Sequence, residues 1–576
     1  MTLPAGVEPR ARRLALANAV EHGGTAQVGS IVARLLATDP ALRSSAAEVR
    51  SLVSEVVGEI VGLPLAELTD RLAALGGPEP ERARPPPSTT GEFPDLPGAV
   101  AGKVVLRLAP FPSGSLHIGN ARMLFVNQYY RARYDGRLLL VFDDTIGTEE
   151  KRVEPEFYDM IRADLERAGI VPDATYYKSD RIALYYPWAR RVIDRGGAYV
   201  CTCPVELLRA NRASGTACPE RSQSVEETGA AWQRMLDGGF APGEAVLRLR
   251  TDLKDPDPAF RDRVLFRLSD LDHPRVGRRY RVWPLLEVAA AVDDIELGIS
   301  HVIRGKDLVM EDRMERFLWE LLGVEGPPFL HWGILRVREA KVSKSKSYRE
   351  VKSGLFDGWS DPRTWSLLSL DRRGISMDAL RTFTLSFGLS LADIEVPAET
   401  LYAENRKRID ATTPRRAFVP DPIHVTVEGY PDDLASVSLP NHPDLPAMGS
   451  RSVTAGPEFY LPRRDVERNV GAEVRLKDLV NVRLPASLPS DGAGVPVTFT
   501  TRENRKLPRL QWVGAADAVP VDLLGTEGEH TTGWGERSLA SAAPRQIFQF
   551  ERVGFVRVDA SWTPGRTPVR VVFGHP

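Results

Sequence analysis

A turn between a predicted strand and a predicted helix carries the residues best suited to phosphate chemistry. The apolar run from Val104 predicts a buried strand, two prolines and Gly114 break it, and Leu116–Tyr130 has helix-compatible spacing. Because the N-terminus of a helix favours an anion, His117 in its first turn is suited to donate to a phosphate oxygen. Gly119 lets a planar group lie against the backbone. The alternative is an ordinary connection with a solvent-facing histidine.

A second group of residues suited to phosphate follows the predicted strand 332–338. Three lysines, Lys341, Lys344 and Lys346, alternate with serines at positions 343, 345 and 347. Clustered lysines attract phosphate groups. A charge run by itself is also typical of a solvated surface loop, so its pairing with the His117 turn is what favours phosphate binding.

Charged side chains stand at the ends of two further predicted strands. The strand 137–145 ends with Asp143 and Asp144, and the strand 297–305 ends with Arg304. Ligands of open α/β sheets bind at the carboxyl ends of strands, so both ends are expected near the His117 turn. Arg304 is suited to bidentate carboxylate binding. The alternatives are an aspartate that caps a turn and an arginine paired with Asp307 or Asp312.

The three cysteines of the chain, Cys201, Cys203 and Cys218, lie close together in sequence. Such a group predicts a zinc site, whose four ligands are usually cysteine and histidine. No histidine lies nearby, and Glu220 is a poor substitute for one. The alternative is three reduced, buried thiols.

The composition is that of an ordinary water-soluble protein rather than a membrane or disulfide-rich one. Of 576 residues, 43% are hydrophobic and 26% charged, and the net charge is −2. Any nucleic-acid surface must therefore be local. No run of 18 apolar residues and no signal peptide is evident, and cysteines are few, so we expect a cytoplasmic protein with no membrane partner.

The pattern of apolar residues divides the chain into three regions and a linker. Residues 1–76 are predicted helical, with helices over 26–36, 46–60 and 64–75, and the Pro-rich segment 77–102 is predicted to be a linker. From residue 103, strands alternate with helices such as 155–168 and 183–195, which favours a parallel sheet. From about residue 412, short strands predict barrels, over 423–427, 497–500, 510–513, 547–550, 554–558 and 568–573.

Two of these motifs resemble the signatures of one enzyme class. The segment Pro112-Ser-Gly-Ser-Leu-His-Ile-Gly-Asn120 resembles the HIGH motif of class I aminoacyl-tRNA synthetases, and Lys341-Val-Ser-Lys-Ser345 resembles their KMSKS loop. The wider sequence is similar to archaeal-type glutamyl-tRNA synthetases. The similar segments are Phe142-Asp-Asp-Thr145, Tyr199-Val-Cys-Thr-Cys203, Tyr280-Arg-Val-Trp-Pro284, Ser300-His-Val-Ile-Arg-Gly305 and the stretch 550–559.

The resemblance implies a multidomain fold. It comprises an N-terminal helical domain, a Rossmann-like α/β catalytic domain split by an inserted acceptor-stem-binding domain, and β-barrel domains that bind the tRNA anticodon. The corresponding boundaries are 1–76 for the helical domain, 77–102 for the linker, 103–198 and 281–350 for the two catalytic halves, 199–280 for the insertion, 351–411 for a helical connecting domain and 412–576 for the barrels.

The resemblance also implies a reaction: glutamate is activated with ATP and Mg²⁺ to an adenylate and transferred to the 3′ end of tRNA. His117 and Asn120 would assist catalysis, and Lys341 and Lys344 would neutralise the departing pyrophosphate. The implied ATP-binding residues are Pro110, Gly114, His117, Gly119, Ser343 and Lys344. The implied glutamate-binding residues are Arg107 and Arg304 for the two carboxylates and Asp143 for the α-amino group.

Departures from the family pattern lie mainly in the amino-acid pocket. Asn120 replaces the last histidine of HIGH, and its amide can still donate. Val141 stands where arginine is usual, and Ile146 where a polar residue is usual. Leu286 and Glu287 replace a tyrosine and an asparagine. Two alternatives to a glutamate–tRNA ligase follow: a divergent synthetase with another amino acid or a role outside translation, and a non-catalytic tRNA-binding protein.

Overall fold

The computed structural model describes residues 4, 6–21, 23–38, 42, 45–77, 91–145, 153–340, 344–489 and 494–576, which fall into two compact units, Met1–Thr89 and Thr90–Pro576. The first unit is helical in its described part, as the sequence predicts. Its helices are α1 (Val7–Glu21), α2 (Val28–Thr38), α3 (Ala46–Ile60) and α4 (Leu65–Ala74). Apolar faces of all of them form one core, to which Leu14, Leu35, Val53 and Leu68 contribute.

The second unit begins with a parallel sheet. Strands β1 (Val105–Leu108), β2 (Arg137–Phe142) and β3 (Ala174–Tyr177) are joined by α5 (Ala121–Arg133) and α6 (Pro155–Arg167). The central strand β2 is rich in leucine and is buried on both faces after Arg137, as is typical of a parallel strand, whereas β1 alternates between buried and half-buried residues. Helix α7 (Ile182–Asp194) then leads out of this sheet.

A four-stranded antiparallel sheet interrupts the parallel one. Its order is β4-β5-β6-β7. The elements of this insertion are β4 (Ala198–Cys201), α8 (Val205–Ser214), α9 (Val225–Leu236), β5 (Val246–Leu249), β6 (Val264–Leu268) and β7 (Val282–Pro284).

The chain then returns to the parallel strands. Helix α10 (Leu286–Glu296) precedes β8 (Val302–Gly305), and α11 (Val309–Leu322) connects β8 to the parallel strand β9 (Phe329–Trp332). Just before β8, the amide of Ser300 donates to the carbonyl of Val105, which places β8 beside β1. Strands β1 and β2 pair in parallel, so their carboxyl ends lie on the same side of the sheet, and β8 lies beside β1.

The single strand predicted over 332–338 is two strands in two different pairs. Strand β9 ends at Trp332, and β10 (Leu335–Val337) pairs with β11 (Ile394–Val396). Gly333 lies between them, and a Cβ there would fall 1.9 Å from the carbonyl oxygen of Ala392. This close backbone approach turns the chain, and hydrophobic periodicity does not reveal it. Around β11 lie helices α12 (Lys344–Lys352), α13 (Leu367–Arg372), α14 (Met377–Leu385) and α15 (Glu399–Ile409).

Two seven-stranded sheets of barrel-like character follow, each combining parallel and antiparallel pairs. The first sheet comprises β14 (Pro422–Glu428), β17 (Glu458–Pro462), β18 (Glu473–Leu476), β19 (Asn481–Arg483), β20 (Val495–Thr501), β21 (Arg509–Leu510) and β22 (Val513–Gly514), in the order β21-β18-β19-β20-β14-β17-β22. The second comprises β12 (Arg415–Arg416), β13 (Phe418–Pro420), β23 (Val519–Leu524), β24 (His530–Gly535), β25 (Ile547–Phe550), β26 (Gly554–Ala560) and β27 (Val569–His575), in the order β12-β25-β26-β27-β23-β24-β13. Strands β15 (Ser436–Pro440) and β16 (Ser450–Thr454) form a separate antiparallel pair, and the short helix α16 (Arg463–Arg468) follows β17. Across the described ranges, no helix is long and apolar enough to cross a membrane.

The linker predicted over 77–102 does not remain a linker along its described C-terminal part. Leu96 is buried, the Tyr130 hydroxyl donates to the Pro94 carbonyl over 2.8 Å, and the Gly91 amide donates to the Ser386 carbonyl. Residues 91–102 thus pack on α5 and the end of α14. Proline and glycine content predicted an unpacked segment, but these contacts come from residues far away in sequence.

We expect Gly91→Ala to destabilise the second unit. A Cβ at position 91 would fall 1.9 Å from the Gly388 nitrogen, which is backbone and cannot rotate away. The expected cost is about 1–3 kcal/mol of unfolding free energy, measured by denaturant titration. Gly58→Ala is the control, because a Cβ there meets nothing within 4 Å on α3. Equal stability of the Gly91→Ala variant and the wild type would contradict this packing.

Candidate active site

The turn after β1 holds His117 in one defined orientation. His117 caps a 3₁₀ turn, Ile118–Asn120, which leads directly into α5. Its Nδ1 accepts from the Gly119 amide at 3.0 Å, and the Asn120 Oδ1 accepts from the His117 amide at 3.1 Å. With Nδ1 as an acceptor, the proton of the neutral ring is carried on Nε2, which is therefore a donor. Sequence analysis assigned Asn120 a donor role, whereas here its carbonyl caps the turn.

A buried carboxylate also holds the residues just before His117 in place. Asp164 on α6 accepts from the Ser115 hydroxyl and the Leu116 amide, both at 2.7 Å. Charge-assisted bonds to a buried carboxylate are strong, so this contact fixes the path of the loop. Gly114 has φ +140° and lies against the Trp359 ring. Asp164 and Trp359 are far from this turn in sequence, and no motif or spacing predicts that either of them contacts it.

An open cleft of about 490 Å³ lies in front of the His117 turn. His117, Gly119 and Arg122 line one side, and residues 332–340, including β10, line the other. Arg122 is buried, and desolvation lowers the pKa of its guanidinium to about 10. The cleft therefore combines the N-terminal end of a helix and an imidazole N–H donor with the residues of β10, an arrangement suited to a nucleotide.

The lysine-rich motif lies only partly within the described residues. Lys341 and Ser343 are outside them, and of Lys344 only the backbone, at the start of α12, is described. Helix α12 is held against the start of α6, because the Lys352 Nζ lies 2.8 Å from Glu154 Oε2 and the Tyr348 hydroxyl donates to the same carboxylate. These contacts position the C-terminal end of the motif.

The arginines predicted to bind substrate carboxylates are both paired with acidic residues of the protein. Arg107 on β1 makes a bidentate pair with Asp294 of α10, with Nη2 2.8 Å from Oδ2. Burial by itself would lower the pKa of Arg107, but the Asp294 carboxylate outweighs it and raises that pKa above its ordinary value. Asp143 at the end of β2 pairs with Lys178 at 2.8 Å.

Arg304, at the predicted strand end on β8, is buried between two carboxylates of α11. Its Nε lies 2.7 Å from Asp312 Oδ1, and its Nη1 lies 2.9 Å from Glu315 Oε1. His331 Nε2 lies 2.6 Å from the second oxygen of Asp312. The pair with Asp312 is the alternative that the sequence left open for this arginine.

The departures in the amino-acid region have distinct surroundings. Val141 is fully buried in an apolar cluster beneath the sheet. Leu286 is the first residue of α10. The adjacent Glu287 is buried and pairs with Arg263, which directly precedes β6. Burial raises the pKa of Glu287, and the nearby Arg263 opposes that shift. Position 146 lies outside the described residues.

The three cysteines come together at the edge of the inserted sheet. Their Sγ atoms all lie within 4.8 Å of one another, and Cys201 and Cys218 are buried. Glu220 Oε2 is 3.8 Å from Cys203 Sγ, and Arg248 Nη1 is 2.9 Å from Cys218 Sγ. Burial acts to raise the pKa of Cys218, but hydrogen bonds, the first from Asn211, and the Arg248 charge give a net lowering. Converging soft sulfur donors beside a carboxylate fit zinc.

Comparison with known proteins gives matches over nearly the whole chain. A family described as tRNA synthetases class I (E and Q), catalytic domain, matches residues 103–411, and two anti-codon binding domain families of that class match 413–498 and 509–559. The chain is 39% identical over 565 residues to a glutamate–tRNA ligase of Pyrococcus abyssi, covering 96% of this chain and 97% of that protein. It is 38% identical over 572 residues to one of Methanopyrus kandleri, covering 98% of each.

Among solved structures, a glutamate-tRNA synthetase from Elizabethkingia anophelis matches 54% of this chain and 72% of that chain, with a TM-score of 0.39 and 20% identity.

Because the HIGH-like motif predicts ATP binding in the cleft, we expect Gly114→Ala to weaken that binding. A Cβ there would fall 2.2 Å from the Trp359 ring, so the His117 turn or the indole must move. The expected loss of affinity, measured by calorimetric titration, is about tenfold or more. The double variant with Trp359→Ala removes the clash and should recover part of the loss. Unchanged ATP affinity in Gly114→Ala would contradict this role of the contact.

Proposed function

The chain belongs to the class I tRNA synthetases of the glutamate and glutamine group, and we propose that it acts as a glutamate–tRNA ligase through the cleft at His117. Enzymes of this family use ATP and Mg²⁺. The glutamate α-carboxylate attacks the α-phosphate, which forms a mixed anhydride and releases pyrophosphate. A terminal ribose hydroxyl of tRNA then takes the aminoacyl group and AMP leaves. The observation that carries the proposal is the cleft itself. The His117 turn and β10 both line it, and the lysine motif follows β10 in the sequence.

The roles in adenylate formation are proposed from the resemblance to the HIGH and KMSKS motifs and, for His117 and Asn120, from the geometry of the turn. His117 Nε2–H and the N-terminal end of α5 would stabilise charge on the α-phosphate. Pro110, Gly114, Gly119, Ser343 and Lys344 would bind ATP with His117, and Lys341 and Lys344 would neutralise the departing pyrophosphate. Asn120 would act as a positioning residue, since its side chain fixes the turn. Mg²⁺ would neutralise phosphate charge when bound.

Glutamate would bind to residues that form ion pairs within the protein, so those ion pairs would have to be exchanged for contacts with the substrate. Arg107 and Arg304 would bind the two substrate carboxylates, and Asp143 the α-amino group, although each is paired within the protein in this structure. The protein's own carboxylates already offset the free-energy cost of burying these arginines. A substrate carboxylate would therefore take the place of a protein carboxylate beside each arginine.

The partner macromolecule is tRNA, because anticodon-binding domains of the same class match the two sheets at the C-terminal end. The insertion between α7 and α10 would contact the acceptor stem. A cytoplasmic location would follow from a role in translation.

A second candidate function, activation of a different amino acid, is favoured by one observation. The Nε, Nη1 and Nη2 groups of Arg304 all donate to Asp312 or Glu315. An arginine whose donors are engaged attracts a side-chain carboxylate less strongly than one with open donors.

The zinc site is proposed at Cys201, Cys203 and Cys218, with Glu220 as the nearest further donor. Zinc would hold the end of β4 to the segment that follows α8. The Arg248 guanidinium would offset the negative charge of a thiolate cluster.

The first test is pyrophosphate exchange with ATP, Mg²⁺ and bulk tRNA, run separately with twenty amino acids. We expect glutamate to give the signal and His117→Ala to reduce it on the order of 100-fold or more. A signal with another amino acid alone would select the second candidate. Absence of exchange together with tRNA binding that is indifferent to His117→Ala would instead indicate a non-catalytic tRNA-binding protein.

The second test measures metal content and thermal unfolding. We expect about one zinc per chain, lost in Cys203→Ser, with a lower melting temperature after chelation. Ser214→Ala, at the exposed end of α8, is the control and should keep the metal. A chain that carries no zinc and melts identically with and without chelator would contradict the site.

A further inference from the structure

Two backbone hydrogen bonds join the His117 turn to the chain at the start of α13. The Ile118 amide donates to the Trp365 carbonyl at 3.0 Å, and the Leu367 amide donates to the Leu116 carbonyl at 2.8 Å. His117 lies between these two bonds, at the centre of a short antiparallel bridge. The position of the His117 backbone therefore depends on where Trp365 and Leu367 lie.

Trp365 has a backbone conformation that a bulky residue rarely adopts. Its φ is +50° and its ψ is +26°, in the left-handed region. Such a conformation costs free energy and persists only where the surrounding contacts fix it. The indole of Trp365 is buried, so the contacts of that ring contribute to holding the residue in place.

The Arg373 guanidinium lies over the Trp365 ring, with its central carbon 4.9 Å from the centre of the ring. Nη2 donates to the Gly574 carbonyl at 2.7 Å and to the Tyr402 hydroxyl at 2.8 Å, and Nε donates to the Phe573 carbonyl at 3.3 Å. Arg373 is 1% exposed, and a buried cation is costly unless such contacts satisfy it. Arg373 is therefore fixed between β27, the last strand, and Trp365.

The end of β27 packs tightly against the residues that follow α13. A Cβ at Gly574 would fall 2.6 Å from the Arg373 carbonyl oxygen. The Asn405 side-chain amide donates to the Gly374 carbonyl at 3.0 Å, and its nitrogen also lies 3.0 Å from Nε2 of the fully buried His575. Because of these contacts, the end of β27 cannot shift without moving Arg373.

We propose that Arg373 is a positioning residue for adenylate formation, which holds the His117 turn in place from the C-terminal sheet. This inference rests on the proposed function. Arg373 does not line the cleft. Its guanidinium fixes the Trp365 ring, and the Trp365 carbonyl accepts from the Ile118 amide. The C-terminal sheet thereby supports the first step of the reaction in addition to binding tRNA.

The first experiment measures kcat, and KM for ATP, in pyrophosphate exchange with glutamate and saturating tRNA. Arg373→Lys keeps the charge but loses the planar group that packs on Trp365 and donates in two directions. We expect kcat to fall by about tenfold or more while KM changes less, because the His117 donor acts on charge that develops in the transition state.

Arg372→Lys is the matched control for that experiment. The neighbouring Arg372 also binds the C-terminal sheet, where its Nη2 lies 2.6 Å from Asp559 Oδ2 on β26. Its ion pair does not involve Trp365, so the control should keep the wild-type kcat. A wild-type kcat in Arg373→Lys, or equal losses in the two variants, would overturn the inference.

A second experiment tests whether Arg373 acts through Trp365. Trp365→Phe leaves every charge in place, so it remains informative if Arg373→Lys does not fold. We expect Trp365→Phe to lower kcat, and the double variant to be no slower than the slower single variant, because both changes break the same contact. Losses in kcat that multiply in the double variant, or a wild-type kcat in Trp365→Phe, would contradict this role of Trp365.

Hydrogen–deuterium exchange gives a readout that does not depend on activity. In Arg373→Lys, peptides that contain Ile118 should exchange faster, whereas those of the central strand β2 should match the wild type, which excludes a general loss of stability. Arg372→Lys should leave both sets of peptides unchanged. Wild-type protection of Ile118 in Arg373→Lys would overturn this inference and leave the proposed function intact.

Failure of the proposed function has a different signature. Absence of pyrophosphate exchange with every amino acid in the wild type would overturn that function, and with it the catalytic part of this inference. Hydrogen exchange at Ile118 would still show whether Arg373 holds the His117 turn.

Discussion

The burial of two arginines at the carboxyl ends of adjacent strands constrains the whole amino-acid region. A guanidinium removed from water needs an anion, and here Asp294, Asp312 and Glu315 supply it. These acids lie on α10 and α11, which flank β8. The parallel sheet, the two helices and the site therefore form one electrostatic unit, in which the position of each helix depends on charges at the strand ends.

The nucleotide side of the site depends on backbone hydrogen bonding instead of ion pairs. His117 and Asn120 cap the turn into α5, and Asp164 secures the preceding residues from α6. The cleft is completed by β10, which Gly333 directs away from β9. Capping hydrogen bonds therefore fix the His117 side of the cleft. The close approach of the Gly333 and Ala392 backbones fixes the β10 side.

The two halves of the site have different physical requirements. Around His117, small residues and caps meet fixed geometric needs, and the HIGH-like residues are retained apart from Asn120. In the amino-acid region, Leu286 and Glu287 depart from the pattern of similar enzymes, and Glu287 is paired with Arg263 within the protein. Charge balance can be met by several combinations of side chains, whereas the turn at His117 depends on particular capping residues.

The sequence by itself determined the succession of elements and the motifs. Helix α3 falls at its predicted residues, the strands before His117, Asp143 and Arg304 are present, and the matching families confirm the enzyme class. These features depend on local periodicity and on short motifs, which the linear chain records. Tertiary structure alone decided that residues 91–102 pack, that 332–338 forms two strands, and that Glu315, Asp294 and Asp312 meet the two arginines. Contacts between residues far apart in sequence have no periodic signature, and ion-pair partners are chosen by distance in the folded chain.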